Sequence, residues 1–268
     1  MNIPPDFTIY IRTYKRDKIV TFQYIPPEWY PYTRLVVQER DKDRVKDSPV
    51  EKLVLPPEVD NLGKTMDWLM ANCPTKKMLS LDDDITVNVL KNFNQYNLRG
   101  ITPEEMHEAL ARCAFMLDIY PHFGAGDRRE AHIKYLHRIL ECTRCNRWHG
   151  FNVEFFRKNC PDFRFASVPN IEDYNMILYL LTHGYPNAID CQLYIGDAFG
   201  SNSPGGCHDL REELGDGYDA KALQTLYPAF VSLETKETKT KGGIWNRTDV
   251  RVQWKKAYEY GMANWGLL

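Results

Sequence analysis

The sequence predicts an α/β fold whose strand carboxyl ends gather at one edge of a sheet. The first observation is that short apolar, β-rich runs break into polar turns. Residues 7–11 (FTIYI) break into 12–16 (RTYKR), 34–38 (RLVVQ) into Glu39-Arg40-Asp41, and 78–81 (MLSL) into Asp82-Asp83-Asp84. The second is a segment of helical spacing between the third and fourth strands, which is the order of a β-α-β unit. In such sheets ligands bind outside the carboxyl ends of the strands.

Each element has its own local signal. After the first strand, residues 25–32 are rich in Pro and Tyr and read as an irregular loop. Residues 52–55 (KLVL) form a third strand stopped by Pro56 and Pro57. In 61–72, Leu62, Met66, Leu69 and Met70 share a helical face, with Asp60 or Asn61 as N-cap. Residues 103–117 read as a helix capped by Thr102, with Pro103 in the first turn. Two further helices are expected over 128–142 and 173–183, the second closed by Gly184. The last 70 or so residues mix Gly-rich loops with a strand at 230–233 and a helix at 252–260. No repeat, low-complexity tract or linker interrupts the chain, so 1–268 reads as one domain.

Composition narrows the functional classes. The chain has 268 residues, 43% hydrophobic and 26% charged, which excludes disorder. Its 34 basic and 36 acidic residues leave a net charge of −2, which excludes a uniformly basic nucleic-acid binder but not a local basic patch. The start lacks the charge-then-apolar pattern of a signal peptide. The longest central apolar run, 176–181, is far short of the ~20 residues of a membrane span. Seven cysteines, an odd number with no even ladder of spacings, suit reduced thiols, hence a cytoplasmic location and no membrane partner.

The strongest chemical signal is LSLDDDITV at 79–87, where an apolar strand delivers three carboxylates into one turn. Asp82 and Asp84 point the same way if the backbone is extended. Two such carboxylates repel unless a cation lies between them, and Mg²⁺ or Mn²⁺ on a diphosphate is the natural occupant. The competing reading is an acidic cap on a following helix. Glu172 and Asp173 open a helix, either as first-turn acids favoured by its dipole or as a base for an alcohol. Gly63-Lys64-Thr65 suggests a phosphate loop, but Glu58 stands where that motif needs its first glycine.

Cys142 and Cys145 form a lone C-x-x-C near His132, His137, His149 and Cys160. A structural zinc site usually has four ligands with paired spacing and only one pair is clean here, so a metal there and ordinary thiols both stay open. Residues 124–127 (GAGD) read as a Gly-rich turn without a nucleotide fingerprint. Residues 236–256 hold seven basic and two acidic side chains, with Trp245 and Trp254 among them. Such a segment suits a nucleic-acid backbone, a diphosphate or merely a solvated face.

In order, these pieces resemble the glycosyltransferases with the A-type fold. Residues 11–16 (IRTYKR) are similar to the P-T-Y-N-R turn of that family, with Arg12 in place of its proline. The strand ending at Glu39 stands where their second strand meets the nucleobase. Residues 61–68 (NLGKTMDW) resemble their nucleotide-facing helix, 79–84 (LSLDDD) their D-x-D motif, and 172–185 (EDYNMILYLLTHGY) their acidic motif and following helix. The resemblance covers roughly residues 7–190. A looser likeness, in size, aromatic content and the basic segment, is to the TET-associated glycosyltransferases of tailed phages, which act on hydroxymethylated pyrimidines of DNA.

The resemblance implies a single α/β domain with a mixed central sheet flanked by helices. Its nucleotide-sugar half would span about 1–100 and its acceptor half about 101–268. It implies metal-dependent transfer of a sugar from a nucleotide-sugar, a UDP-sugar first, to a hydroxyl. Thr13, Arg16, Glu39, Lys64 and Asp82 would contact the nucleotide. Asp82 and Asp84 would hold Mn²⁺ or Mg²⁺, with His208 as third ligand. Asp173 would be the base, with Glu172 as its substitute. Lys239, Lys241, Trp245 and Arg247 would grip a DNA acceptor, placing a phage enzyme in the host cytoplasm. The rival readings are a metal-dependent nuclease or nucleotidyltransferase using Asp82, Asp84 and Glu172, and a nucleic-acid-binding module without catalysis.

Overall fold

A computed structural model describes residues 6–92, 95–198, 214–215, 217–240 and 243–265, with no side-chain description for 95, 238–240 and 243–246. Four parallel strands start the sheet: β1 (Phe7–Arg12), β2 (Thr33–Gln38), β3 (Glu51–Leu55) and β4 (Lys77–Asp82). All six residues of β1 are buried, as expected of a strand covered on both faces. Then come β5 (Ile85–Asn92), β6 (Gln95–Gly100), β7 (His122–Asp127), β8 (Ile139–Glu141), β9 (Trp148–Asn152) and β10 (Ala188–Asp197). The spatial order is β3-β2-β1-β4-β9-β7-β10-β5-β6, with β8 also on β10. The β4–β9, β9–β7 and β10–β5 pairs are antiparallel, whereas β7–β10 is parallel, so the sheet is mixed.

Helices cover both faces. Alternate residues Phe7, Ile9 and Ile11 pack with Leu79, Phe123 and Ala125 beneath α2 (Pro103–Met116). Tyr10, Met78 and Phe151 face the opposite core, built by α1 (Leu62–Asn72), α4 (Val153–Asn159) and α5 (Glu172–Thr182). Helix α2 carries a full capping box: Thr102 accepts from the Glu105 N–H, and Glu105 accepts from the Thr102 N–H. Asn61, one of the two expected caps, accepts from the Lys64 N–H to start α1. A short α3 (Ala131–Lys134) and α6 (Tyr218–Leu226) precede a hairpin of β11 (Val231–Thr240) and β12 (Gly243–Val252). The final helix, α7 (Trp254–Trp265), packs on α5.

The sheet cannot be flat. Strands β4 and β5 are joined by two residues, yet β9, β7 and β10 lie between them. Four inter-strand steps of ~4.8 Å would place them roughly 19 Å apart, while three peptide steps reach at most about 11 Å. The carboxyl edge therefore curls in on itself. Three backbone bonds show the convergence: Asp82 N–H to Arg147 O (3.2 Å), Thr21 N–H to Asp83 O (3.1 Å) and Ala198 N–H to Asp84 O (2.8 Å). A slip in register between Asp190 and Tyr194 lets β10 bend to follow it.

Two expectations need correction. Residues 128–142 are not one helix. Asp127 binds the Arg129 backbone and guanidinium, holding a 3-10 turn; α3 lasts one turn, and 139–141 is claimed by pairing with β10. The Gly-rich stretch at 124–127 is not a turn but the buried strand β7. A Cβ on Gly124 would lie 2.0 Å from Cys145 Sγ, and one on Gly126 2.9 Å from the Tyr194 ring. Its glycines answer to crowding by neighbours, not to chain reversal.

Candidate active site at the strand carboxyl ends

Strand β1 lies between β2 and β4, so the chain changes direction across the sheet at the β1–β4 pair. In open α/β sheets such a switch point is where ligands bind, outside the strand ends. In register there, Arg12 ends β1 and Asp82 ends β4. The Arg12 guanidinium reaches Asp82 at 2.5 Å and Glu172, the first residue of α5, at 3.5 Å. Thr13 donates its hydroxyl to Asp83 at 2.5 Å, and Arg16 stands 3.7 Å from Asp84. Five of the expected site residues, Thr13, Arg16, Asp82, Asp84 and Glu172, thus meet at one edge.

The turn holding these acids leads straight into β5 at Ile85, not into a helix. The helix-cap reading of the three aspartates is thereby overturned. Burial pushes the Asp83 carboxyl up to about 7; Asp84 and Asp82 add to this, and the Thr13 hydroxyl opposes it. Burial also raises Asp84, with the Asp82 charge adding and Arg16 and Arg147 opposing. A cation beside these acids would relieve both effects. Glu172 is raised by burial and by Asp173, against the pull of Arg12: at 5% exposure, desolvation outweighs a 3.5 Å ion pair. Asp173 is raised by burial against Arg144, but its residue stays partly exposed.

Further charged residues join the edge that the sequence reading did not single out. Arg147 lies just before β9 in the left-handed region (φ 61°) and reaches Asp197 at 2.7 Å and Asp127 at 3.7 Å. Asp127 also takes a bond from Asn146 at 2.9 Å. Burial works to raise Asp127, but the Arg129 bonds and the Arg129 and Arg147 charges outweigh it and hold it low. Arg144 lies 4.9 Å from the Tyr174 ring. A usable signal existed for Asp127 and Asp197, since each ends an apolar or glycine-rich run as Asp82 does. Arg147 had none, because its position depends on a backbone turn.

Other expected residues stand apart. Glu39 opens a 3-10 turn after β2 and pairs with Lys42 at 2.7 Å on the surface. Lys64, at the start of α1, binds Asp60 at 2.8 Å and the Glu58 carbonyl at 3.3 Å. His208 and Lys241 lie outside the described residues, as do the side chains of Lys239 and Trp245. Arg247 is in the hairpin, where it and Lys236 share Asp249 at 3.1 and 3.0 Å; Lys236 also meets Glu234 at 2.9 Å. At these two positions the basic segment is locally compensated.

No family model matches the chain, nor does any curated protein. Among solved structures, it is similar to a CMP:2-keto-3-deoxy-manno-octonic acid synthetase complexed with CTP. The identity is 10% and the TM-score 0.37, over 69% of this chain and 88% of that one. At that similarity the chemistry must be argued from this chain's own residues. No helix among the described residues is long and apolar enough to cross a membrane.

The carboxylates suit a hard dication. Mg²⁺ and Mn²⁺ are held by one or two carboxylates together with substrate phosphates, so Asp82 and Asp84 are enough from the protein side. Asp82 keeps a third of its side chain exposed and Asp84 about a seventh, so a ligand from solvent can meet them.

Proposed function

We propose that the protein is a metal-dependent glycosyltransferase that binds a nucleotide-sugar across the β1–β4 crevice. One observation carries this: carboxylates and guanidinium groups alternate at the curled strand edge, Asp82 with Arg12, Asp84 with Arg16, and Asp127 and Asp197 with Arg147. A dication on a diphosphate carries the same two charges in complementary places. The acids suit the metal, and arginine forks suit phosphate oxygens.

Donor binding on this reading exchanges partners. Arg12 and Arg16 leave their aspartates for phosphate oxygens and keep the developing charge of the leaving diphosphate next to fixed cations. The metal, when bound by Asp82 and Asp84, supplies Lewis-acid stabilisation of that charge. Asp173, the acid of the α5 pair that solvent can reach, accepts the proton of the acceptor hydroxyl if the reaction inverts the anomeric centre. Buried Glu172 positions Arg12. The donor proposed is a UDP-sugar, and the finer acceptor proposal is a hydroxymethylated pyrimidine of DNA, supported by the basic hairpin.

A thermal-shift panel tests the reading. UDP-sugars with Mn²⁺ should raise the melting temperature, UDP-sugar alone much less, and the same mixtures should release or transfer sugar. Pyrophosphate release from a nucleoside triphosphate would instead assign nucleotidyl transfer to this edge, and metal-dependent DNA nicking would assign a nuclease. Absence of any metal-dependent nucleotide binding overturns the proposal.

A further inference from the structure

The Cys142/Cys145 pair divides in the fold. Cys142 sits beside a cavity lined by Trp254 and Lys255. Cys145 turns the other way, into the sheet, and meets two histidines from different strands. His122 is the first residue of β7 and His149 the second of β9. In the antiparallel register Gly124 faces His149, so the histidines sit diagonally on one face. His122 Nε2 and His149 Nδ1 lie 3.1 Å apart, and one ligand atom from each of His122, His149 and Cys145 falls within 4.8 Å of the others. Among the described residues this is the group of His, Cys, Asp and Glu that meets such a spacing.

The setting is only partly compensated, by the hydrogen bond that His122 Nε2 and His149 Nδ1 share. The three residues are 0%, 4% and 1% exposed. His122 Nδ1 is buried and has no hydrogen-bond partner. The Cys145 thiol donates to the Trp148 carbonyl at 3.0 Å. Gly124 is needed for this packing, since its Cβ would overlap Cys145 Sγ. A core of this size could be filled by apolar side chains with no polar group to satisfy. Two imidazoles and a thiol are instead the donor set of zinc, and a poor one for the hard ions proposed at the acidic turn.

We infer that His122, His149 and Cys145 form a buried structural site for one zinc ion, completed by a fourth ligand that is water or a backbone oxygen. Binding replaces the thiol S–H by a zinc–sulfur bond and releases one proton per ion, the imidazoles entering as neutral ligands. The ion would fasten the loop between β8 and β9 to the sheet. Two residues beyond Cys145, that loop presents Arg147 to Asp127 and Asp197, so the clamp would hold this arginine in place at the strand edge.

The experiment uses the tag-free full chain, stripped with a chelator and titrated with Zn²⁺ and Co²⁺. Expected are one ion per chain, a thiolate-to-cobalt charge-transfer band, and one proton released per ion by calorimetry in buffers of different ionisation enthalpy. Cys145→Ser should abolish the band and weaken zinc beyond the ~10–100-fold typical of losing an outer-shell partner. Cys142→Ser should keep both. If Cys145→Ser does not fold, the wild-type stoichiometry and band, with His122→Asn, still decide. No uptake by the wild-type chain, even when refolded with zinc, overturns the inference. A band lost with Cys142 but kept without Cys145 does the same.

Discussion

Arg12 stands where the family that the chain resembles has proline, and its guanidinium joins Asp82 to the buried Glu172. A proline could make neither contact. The side chain therefore links the proposed metal side of the crevice to the proposed base side. At Asp84, the raised pKa means that holding the ionised carboxylate in place already costs stability. Asp84→Ala should accordingly keep the wild-type melting temperature within a few degrees while losing the Mn²⁺-dependent shift and at least ~10²-fold in turnover, since metal stabilisation is worth several kcal/mol. Turnover at the wild-type rate would remove Asp84 from the metal site. Asp173→Asn should bind UDP-sugar normally and lose about 10²–10⁴ in kcat, the usual worth of a general base. A rise in KM with kcat unchanged would make Asp173 a binding residue.

Among the elements, those with an intrinsic signal were legible in the sequence: β1, β2 and β4 from continuous apolar runs, α1 and α2 from their caps, α5 from its stripe and Gly184. The acidic turn after β4 was legible for the same reason, because a buried strand ending in three carboxylates is a local pattern. Strands β7 and β9 were not, since His122-Phe-Gly-Ala-Gly-Asp has low strand propensity and is held by Cys145, Tyr194 and its neighbours in the sheet. The His122–His149–Cys145 group is likewise a product of register, invisible to spacing. The close approach of α5 and α7 requires a glycine at 261. A Cβ on Gly261 would lie 2.1 Å from the Leu181 carbonyl and 2.4 Å from the Gly184 nitrogen, both backbone atoms. Gly261→Ala should detach α7 and expose its amides to rapid hydrogen exchange, although alanine favours a helix more than glycine by about 1 kcal/mol. For α2, Arg99 holds the Glu105 carboxylate of the capping box, and that side-chain bond leads in lowering its pKa to about 2. A depressed carboxylate contributes stability above its unfolded value that is lost as pH falls from about 4.5 towards 2. The side chain is a third exposed, so the contribution is under ~1 kcal/mol after solvent screening. Glu105→Gln should keep the cap and flatten that part of the stability–pH curve, as read by urea unfolding.

At the scale of the molecule, near-neutral net charge leaves the hairpin as the proposed route to a DNA acceptor. Each phosphate it neutralises should steepen the fall of log affinity with log salt by about 0.9 on duplex DNA. Replacing Lys239, Lys241 and Arg247 with Ala should flatten that slope and leave UDP-sugar affinity unchanged. Loss of nucleotide binding to the same extent would move the basic strand to the donor. The strand order has a separate consequence, for the timing of folding. Strands β4 and β5 leave the ribosome together, yet the three strands that belong between them arrive only with residues 122–197. Until then β5 and β6 can form only a hairpin with an open edge, and the β1–β4 half has no partner on its β4 side. Such late, long-range pairing is slow and leaves apolar strand edges uncovered. Truncation before β10 should therefore yield aggregate rather than a smaller folded unit, as size-exclusion chromatography of such fragments would show.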